Sequence, residues 1–300
     1  MTKVLISIVG PTAIGKTALS IKLALHFKTE IISADSRQFY KEMSIGTAVP
    51  SKEELQAAKH HFIQHISIKD SYSVGDFERD AISRIKAIHK TNDIAIMVGG
   101  SGLYVKAVTK GLDDFPEINE NIRLELNKEL DDNGLERLQE RLRHLDPKTY
   151  KAIALDNPQR VLRALEVCIG TGQPYSSFLT NPDKSRPFKT ITIGLNAERA
   201  LIYERINQRV DIMVKNGLID EVEALLKYKD LNALNTVGYK ELFKYFEKEW
   251  TLDFAISEIK KNTRRFAKRQ LTWFRKNESI KWFDYDYDIK AITDYIKEQL

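Results

Sequence analysis

Gly10, Gly15, Lys16 and Thr17, in the stretch "GPTAIGKT", stand at the spacing G-x-x-x-x-G-K-[ST] of a phosphate-gripping loop. The chemistry calls for each residue type. Glycines let main-chain N–H groups converge on phosphate oxygens, and the start of the following helix adds partial positive charge. Lysine supplies a mobile cation, and the threonine hydroxyl is a hard oxygen ligand for Mg2+. The whole loop, Gly10, Pro11, Thr12, Ala13, Ile14, Gly15, Lys16 and Thr17, is the expected diphosphate or nucleotide site, of the kind that binds ATP. Asp35, in "SADSRQFY", is the second chemical group. Motor ATPases and GTPases end a later strand with an acid that holds magnesium, but here "IAIMV" runs into "GGSGLY" with none. At the carboxyl end of a strand, where α/β sheets place their sites, Asp35 is a candidate general base facing an acceptor. A helix N-cap is the plainer alternative.

These groups need a frame. Apolar runs at 4–9, 30–34, 94–98 and 188–196 predict strands, and helical spacing predicts helices over 16–27, 52–64 and 76–90. The alternation predicts an α/β fold, a P-loop NTPase-like parallel sheet core covered by helices. From 116 the texture turns charged and helical without a strand, which predicts an all-helical insertion domain over 116–185 inside a core made of 1–115 and 186–300. In the insertion, Asp156 or Asn157 is the expected cap of a helix entered at Pro158 and ended at Gly170. The region after the last strand is expected to be helical. His60, His61 and His65 fall on an amphipathic helix in this reading, as surface or packing residues, and Cys168 is a buried helix residue.

The composition is 42% hydrophobic and 30% charged, and no apolar run approaches the ~20 residues that span a bilayer. The N-terminal apolar run is too short for a signal-peptide core, and a single cysteine excludes an internal disulfide. The expectation is a cytoplasmic monomer with no membrane association and no obligate protein partner. The net charge of +5 is unevenly spread. The segment "KKNTRRFAKRQLTWFRK" (260–276) carries eight basic residues and no acid; without them, 39 basic residues face 42 acidic ones. Such concentration points to a polyanionic partner. On that segment Phe266, Leu271 and Phe274 are expected to face inward, with Trp273 in the core. Arg205 is expected to be solvated.

Six blocks in order, "GPTAIGKT", "DSRQFYKEMSIGTAVP", "YSVGDFERDA", "VGGSGLYVKA", "NPQRVLRALEVCIGTGQPYS" and "RRFAKRQLTWFRK", resemble the tRNA dimethylallyltransferase (isopentenyltransferase) family over nearly the whole chain. The resemblance implies transfer of a five-carbon allylic group from dimethylallyl diphosphate to N6 of adenine 37, in tRNAs reading codons that begin with U. The glycine loop then grips a leaving diphosphate with Mg2+ at Thr17, and no phosphoryl group moves. It also implies a role in proton transfer for Asp35, contacts from Asp35, Ser36, Arg37 and Gln38 to the flipped base, and Arg209 beside the diphosphate. Ser101, Arg123 and the run Gln159, Arg160, Val161, Leu162 and Arg163 match tRNA-contacting positions, so the partner is a tRNA anticodon stem-loop. Ile14, Gln64, Ser101 and Lys240 depart from the residues more usual in the family. A P-loop kinase for a small molecule also fits the loop and Asp35, but leaves the helical insertion and the basic segment without a purpose.

Overall fold

The computed structural model describes residues 2–180 and 185–300. The chain divides into two compact units, Met1–Thr109 with Ser185–Leu300, and Lys110–Lys184. Residues 181–184 of the expected insertion lie outside the described residues.

The first unit is organised by a sheet of six strands: β1 (Val4–Val9), β2 (Ile31–Ser33), β3 (His60–His61), β4 (Ile94–Val98), β5 (Lys189–Asn196) and β6 (Lys281–Asp284). They lie in the order β3-β2-β4-β1-β5-β6 and every pairing is parallel. Central strands in such a sheet are covered on both faces and so read as unbroken apolar runs. Accordingly "VLISIV" and "IAIMV" are buried at every position. The covering helices are α1 (Lys16–Phe27), α3 (Val74–Ile88) and α4 (Gly102–Lys110), while the short α2 (Lys52–Ala57) buries none of its residues. Leu19 and Leu23 of α1 pack on one face of the sheet, and Phe77, Ala81 and Ile85 of α3 on the other. Helix α3 starts where Ser73 and Asp76 form a reciprocal capping box, which satisfies two of the first-turn N–H groups.

The second unit holds α5 (Glu120–Leu145), α6 (Pro147–Ala152) and α7 (Pro158–Thr171), with no strand among its described residues. Its own core joins Leu126, Leu138 and Leu142 to Val161, Leu162 and Leu165. Asn157 caps α7, its side chain accepting from the backbone of Gln159 and Arg160, and Pro158 fits the first turn. The helix ends at Gly172 and not at Gly170, because Gly172 takes the left-handed conformation that releases the chain. Cys168 is buried, and burial raises its thiol pKa.

After β5 the first unit continues through α8 (Arg199–Lys215), α9 (Leu218–Ala224), α10 (Tyr239–Phe246), α11 (Leu252–Phe274) and α12 (Ile289–Gln299). Two strands depart from the sequence reading. The helix expected over 52–64 stops at Ala57, and the next residues cross to the sheet edge as β3, so His60 and His61 lie on a strand and not on a helix. His60 bonds the Ala58 carbonyl through Nδ1 at 2.7 Å, His61 bonds Glu30 at 2.6 Å, and His65 packs edge-on against Phe39, Phe62 and Tyr72. The region after β5 is not wholly helical either, since Lys281–Asp284 adds an edge strand. Both strands are two to four residues long, below the length at which alternation can be read.

Candidate active site

The glycine loop leaves the carboxyl end of β1 and feeds α1. Gly10 is obligatory at the exit. Its φ is +145°, and a Cβ there would come within 2.5 Å of the Leu195 carbonyl oxygen on the neighbouring strand. Helix α1 has no side-chain cap and no acid in its first turn, so its leading N–H groups remain available to an anion. Lys16 folds back and donates from Nζ to the Pro11 carbonyl at 2.7 Å. Burial lowers its pKa to about 8; Asp35 opposes that shift and Arg209 adds to it. Two arginines from α8 brace the loop from above. Arg209 donates to Thr12 Oγ1 at 3.1 Å and Arg205 to the Ala13 carbonyl at 2.8 Å. Arg205 also lies over the Tyr285 ring, so it is a loop support and not the solvated side chain expected. Burial pulls the Arg209 pKa down, with Asp35 and Glu54 opposing.

Asp35 follows β2 in a turn, and no helix begins there, which removes the N-cap reading. Its Oδ1 accepts from the Arg37 N–H at 3.1 Å. The turn is held on every side. Ser36 N–H donates to Ser101 Oγ at 3.2 Å, and the Arg37 guanidinium donates to the carbonyls of Asn232 and Ala233 at 3.0 and 2.9 Å. Gln38, buried, donates to the carbonyls of Thr47 and Ala48 at 3.2 and 2.8 Å. Three successive N–H groups, of Ser44, Ile45 and Gly46, converge on the Glu221 carboxylate, which also accepts from Tyr239. The segment carrying Thr47 is thereby fixed.

Two cavities open in this unit. The first, about 570 Å³, is walled by the glycine loop, Asp35, Val49, His60, Arg205 and Arg209. The second, about 610 Å³, is walled by Ser36, Arg37, Ser101, Tyr104, Lys240, Phe266, Arg269 and Trp273. Four residues line both: Thr12, Asp35, Thr47 and Arg209. Thr17, the expected magnesium ligand, lines the first cavity beside Asp35.

The other residues named from the sequence lie in the helical unit. Arg123 bonds Gln159 and pairs with Glu166, which Arg163 also engages at 3.1 Å while lying over the Phe115 ring. Arg160 is exposed, with no side-chain partner among the described residues. Val161 and Leu162 have no exposed surface and belong to that unit's core, so their side chains do not present a contact surface.

The basic segment forms the second half of α11, but its inward stripe differs from the one expected. Ala267, Gln270 and Phe274 are buried, whereas Phe266 and Trp273 are exposed and line the second cavity. Trp273 stands against Gly102, where a Cβ would meet its ring nitrogen at 2.2 Å. Lys260, Lys261 and Arg264 are engaged by Asp211, Glu258 and Asn207, leaving Arg265, Lys268, Arg269, Arg275 and Lys276 exposed. Sequence reasoning missed Thr47, His60, Arg205 and Gln270. Gln270 carried a readable signal, a neutral polar residue at helical spacing from the buried Ala267 and Phe274.

The family model described as IPP transferase matches residues 38–277. A tRNA dimethylallyltransferase of Christiangramia forsetii is 62% identical over 300 residues, covering 100% of this chain and 99% of its own length. A tRNA isopentenylpyrophosphate transferase of Bacillus halodurans, solved by crystallography, is 40% identical with a TM-score of 0.73 and covers 99% of this chain and 96% of its own. A eukaryotic dimethylallyltransferase, captured acting on tRNA, superposes with a TM-score of 0.83 at 26% identity, over 99% of this chain and 80% of its own. Agreement in sequence and in fold along the full length places this chain in the IPP transferase family, the tRNA dimethylallyltransferases, and so among the prenyl-transferring enzymes.

Proposed function

We propose that the enzyme takes the dimethylallyl group from dimethylallyl diphosphate and joins it to N6 of adenine 37 in tRNAs reading codons that begin with U. The observation that carries this reading is the pair of cavities sharing Thr12, Asp35, Thr47 and Arg209. One cavity suits a diphosphate and the other a flat purine, with a carboxylate on the wall between them.

In the reaction, the bond between the allylic carbon and the diphosphate oxygen breaks as the bond from N6 forms. Negative charge builds on the departing diphosphate, and donors already fixed there lower the barrier most. Lys16, Arg209 and the free N–H groups at the start of α1 are those donors. Thr17, whose hydroxyl is a hard oxygen donor on the wall of the first cavity, would hold Mg2+, and the ion would supply further charge neutralisation for the leaving group. An exocyclic adenine amine is a weak nucleophile, and Asp35 takes its proton as the new bond forms. A loop nucleotide reaches this wall only if it swings out of its stack, at a cost of a few kcal/mol. Aromatic faces in the second cavity, Tyr104, Phe266 and Trp273, offset that cost by stacking. The helical unit, through Arg123, Gln159, Arg160 and Arg163, and the exposed cations of α11 hold backbone phosphates. The test is nucleoside mass spectrometry on tRNA treated with enzyme, Mg2+ and dimethylallyl diphosphate, beside the same tRNA with guanine at position 37. Prenylated adenosine from the first alone is the expected result; equal product from both sinks the assignment of the site.

A further inference from the structure

Gln270 stands out among the groups that the reaction scheme leaves unused. It is 6% exposed, on the inward face of a helix whose outward face is cationic. Both ends of its amide are committed. Oε1 accepts from the Thr12 N–H of the glycine loop at 2.9 Å, and Nε2 donates to the Gly100 carbonyl, after β4, at 3.0 Å. The fit is close: a Cβ on Gly100 would come within 2.2 Å of Nε2, so only glycine there lets the amide seat.

Each loop held in this way carries part of the shared wall. Thr12 receives the Arg209 guanidinium on its hydroxyl, which places the cation beside the leaving-group site. Ser101, next to Gly100, receives the Ser36 N–H and so holds the turn that begins at Asp35. We infer that Gln270 is a positioning residue whose amide ties the leaving-group loop to the acceptor loop and sets the gap across which the prenyl group passes. The inference rests on the reading of the two cavities as donor and acceptor sides.

The amide does two opposite things, accepting at one end and donating at the other, and that dictates the experiment. A glutamate has the same length. Ionised, it can only accept, and it sets an oxygen against the Gly100 carbonyl; protonated, it regains both bonds. The charged groups that share the cavity wall with Gln270 are Asp35, Arg37, Arg209, Lys240 and Arg269. They are common to wild type and variant, so the ratio of the two kcat values isolates position 270.

Steady-state kinetics with dimethylallyl diphosphate and tRNA are measured for wild type, Gln270→Ala and Gln270→Glu across pH. Gln270→Ala is expected to lose kcat by on the order of 10²-fold, the effect of a misplaced reacting group, with both KM values held within a few-fold. Gln270→Glu is expected to be as poor above neutrality and to climb toward wild type as the pH falls, because burial raises a carboxyl pKa. Gly100→Ala, which displaces the amide from the other side, is expected to match Gln270→Ala. A kcat ratio for Gln270→Glu that stays flat with pH, or a Gln270→Ala enzyme with normal kcat, overturns the inference. Gln270→Glu is its own control for folding, since its recovery is read within one protein. Wild-type turnover in the same assay separates failure of this inference from failure of the reading beneath it.

Discussion

The first cavity takes seven of its lining residues from one unbroken stretch, Thr12 to Ala18. The second gathers its walls from segments scattered between Thr12 and Trp273, with no stretch longer than the five residues Gly100 to Tyr104. The ligands proposed above account for the difference. A diphosphate is held by convergent N–H groups, which a short turn before a helix supplies by itself. A purine offers flat faces and few charges, so its site must be assembled from side chains that only tertiary folding brings together. One cavity is therefore seeded by a local motif, to which distant segments add Asp35, Arg205 and Arg209, and the other is a product of topology throughout, with Asp35 where they meet.

Asp35, on the wall common to both cavities, is the group whose loss should cost the most. Asp35→Asn keeps the bond from the Arg37 N–H, because the amide oxygen still accepts, but it cannot take a proton. Turnover should fall by ~10²–10⁴-fold, the range of general-base catalysis, with tRNA affinity changed a few-fold at most. Single-turnover rates beside filter-binding affinities measure the two separately. A near-normal rate would leave the proton without this acceptor and reduce the shared wall to packing.

Trp273 tests the topological cavity alone. Its exposed ring should be worth ~1–3 kcal/mol to a stacked base, so Trp273→Ala should raise KM for tRNA by roughly 5–150-fold. KM for dimethylallyl diphosphate should hold, and Trp273→Phe should recover part of the loss. Equal damage to both KM values would mean that the ring serves the framework at Gly102 and not the acceptor.

Arg160 lies in the helical unit and lines neither cavity. Exposed and without a side-chain partner among the described residues, it can be removed with little change in stability. Arg160→Ala should lower the slope of log affinity for tRNA against log salt by ~0.7–0.9 if it neutralises one phosphate. An unchanged slope would take Arg160 out of the contact surface. Arg163 is a poorer probe, since its loss also breaks the pair with Glu166.

The same contrast explains what was legible in the sequence. The glycine loop, the parallel core and a helical texture from 116 follow from local spacing and apolar periodicity, and the structure has a parallel sheet and, from Glu120, helices. Failures came where distant partners decide. His60–His61 became a strand because β2 offered a free edge, not because two histidines favour one. Trp273 and Phe266 looked like core residues on an amphipathic helix, but the cavity they line exists only once α4, α8 and α11 are assembled. Arg205 looked solvated because nothing near it in sequence announces the Ala13 carbonyl, 192 residues away. Val161 and Leu162 were carried along with their charged neighbours by resemblance, though helical spacing alone assigns them to the buried face.

The cavity of the glycine loop has a pH dependence whose sign follows from Lys16. Burial holds this ammonium at about 8, below its ordinary 10.5, so the folded chain binds the proton less tightly than the unfolded one. Stability from this group is therefore gained as pH rises from about 8 toward 10.5, and the cost of burying the charge is fully present below about 8. A bound diphosphate reverses the balance by pairing with the ammonium. Around that pH the donor should then draw in part of a proton per molecule bound, and its affinity should fall by up to ~10-fold per pH unit once Lys16 is neutral in the free chain. Calorimetric titration in buffers of different ionisation enthalpy reads the proton count directly. Uptake near zero at pH 8 would mean that Lys16 is already fully charged in the empty loop, held there by Asp35 more strongly than burial opposes it.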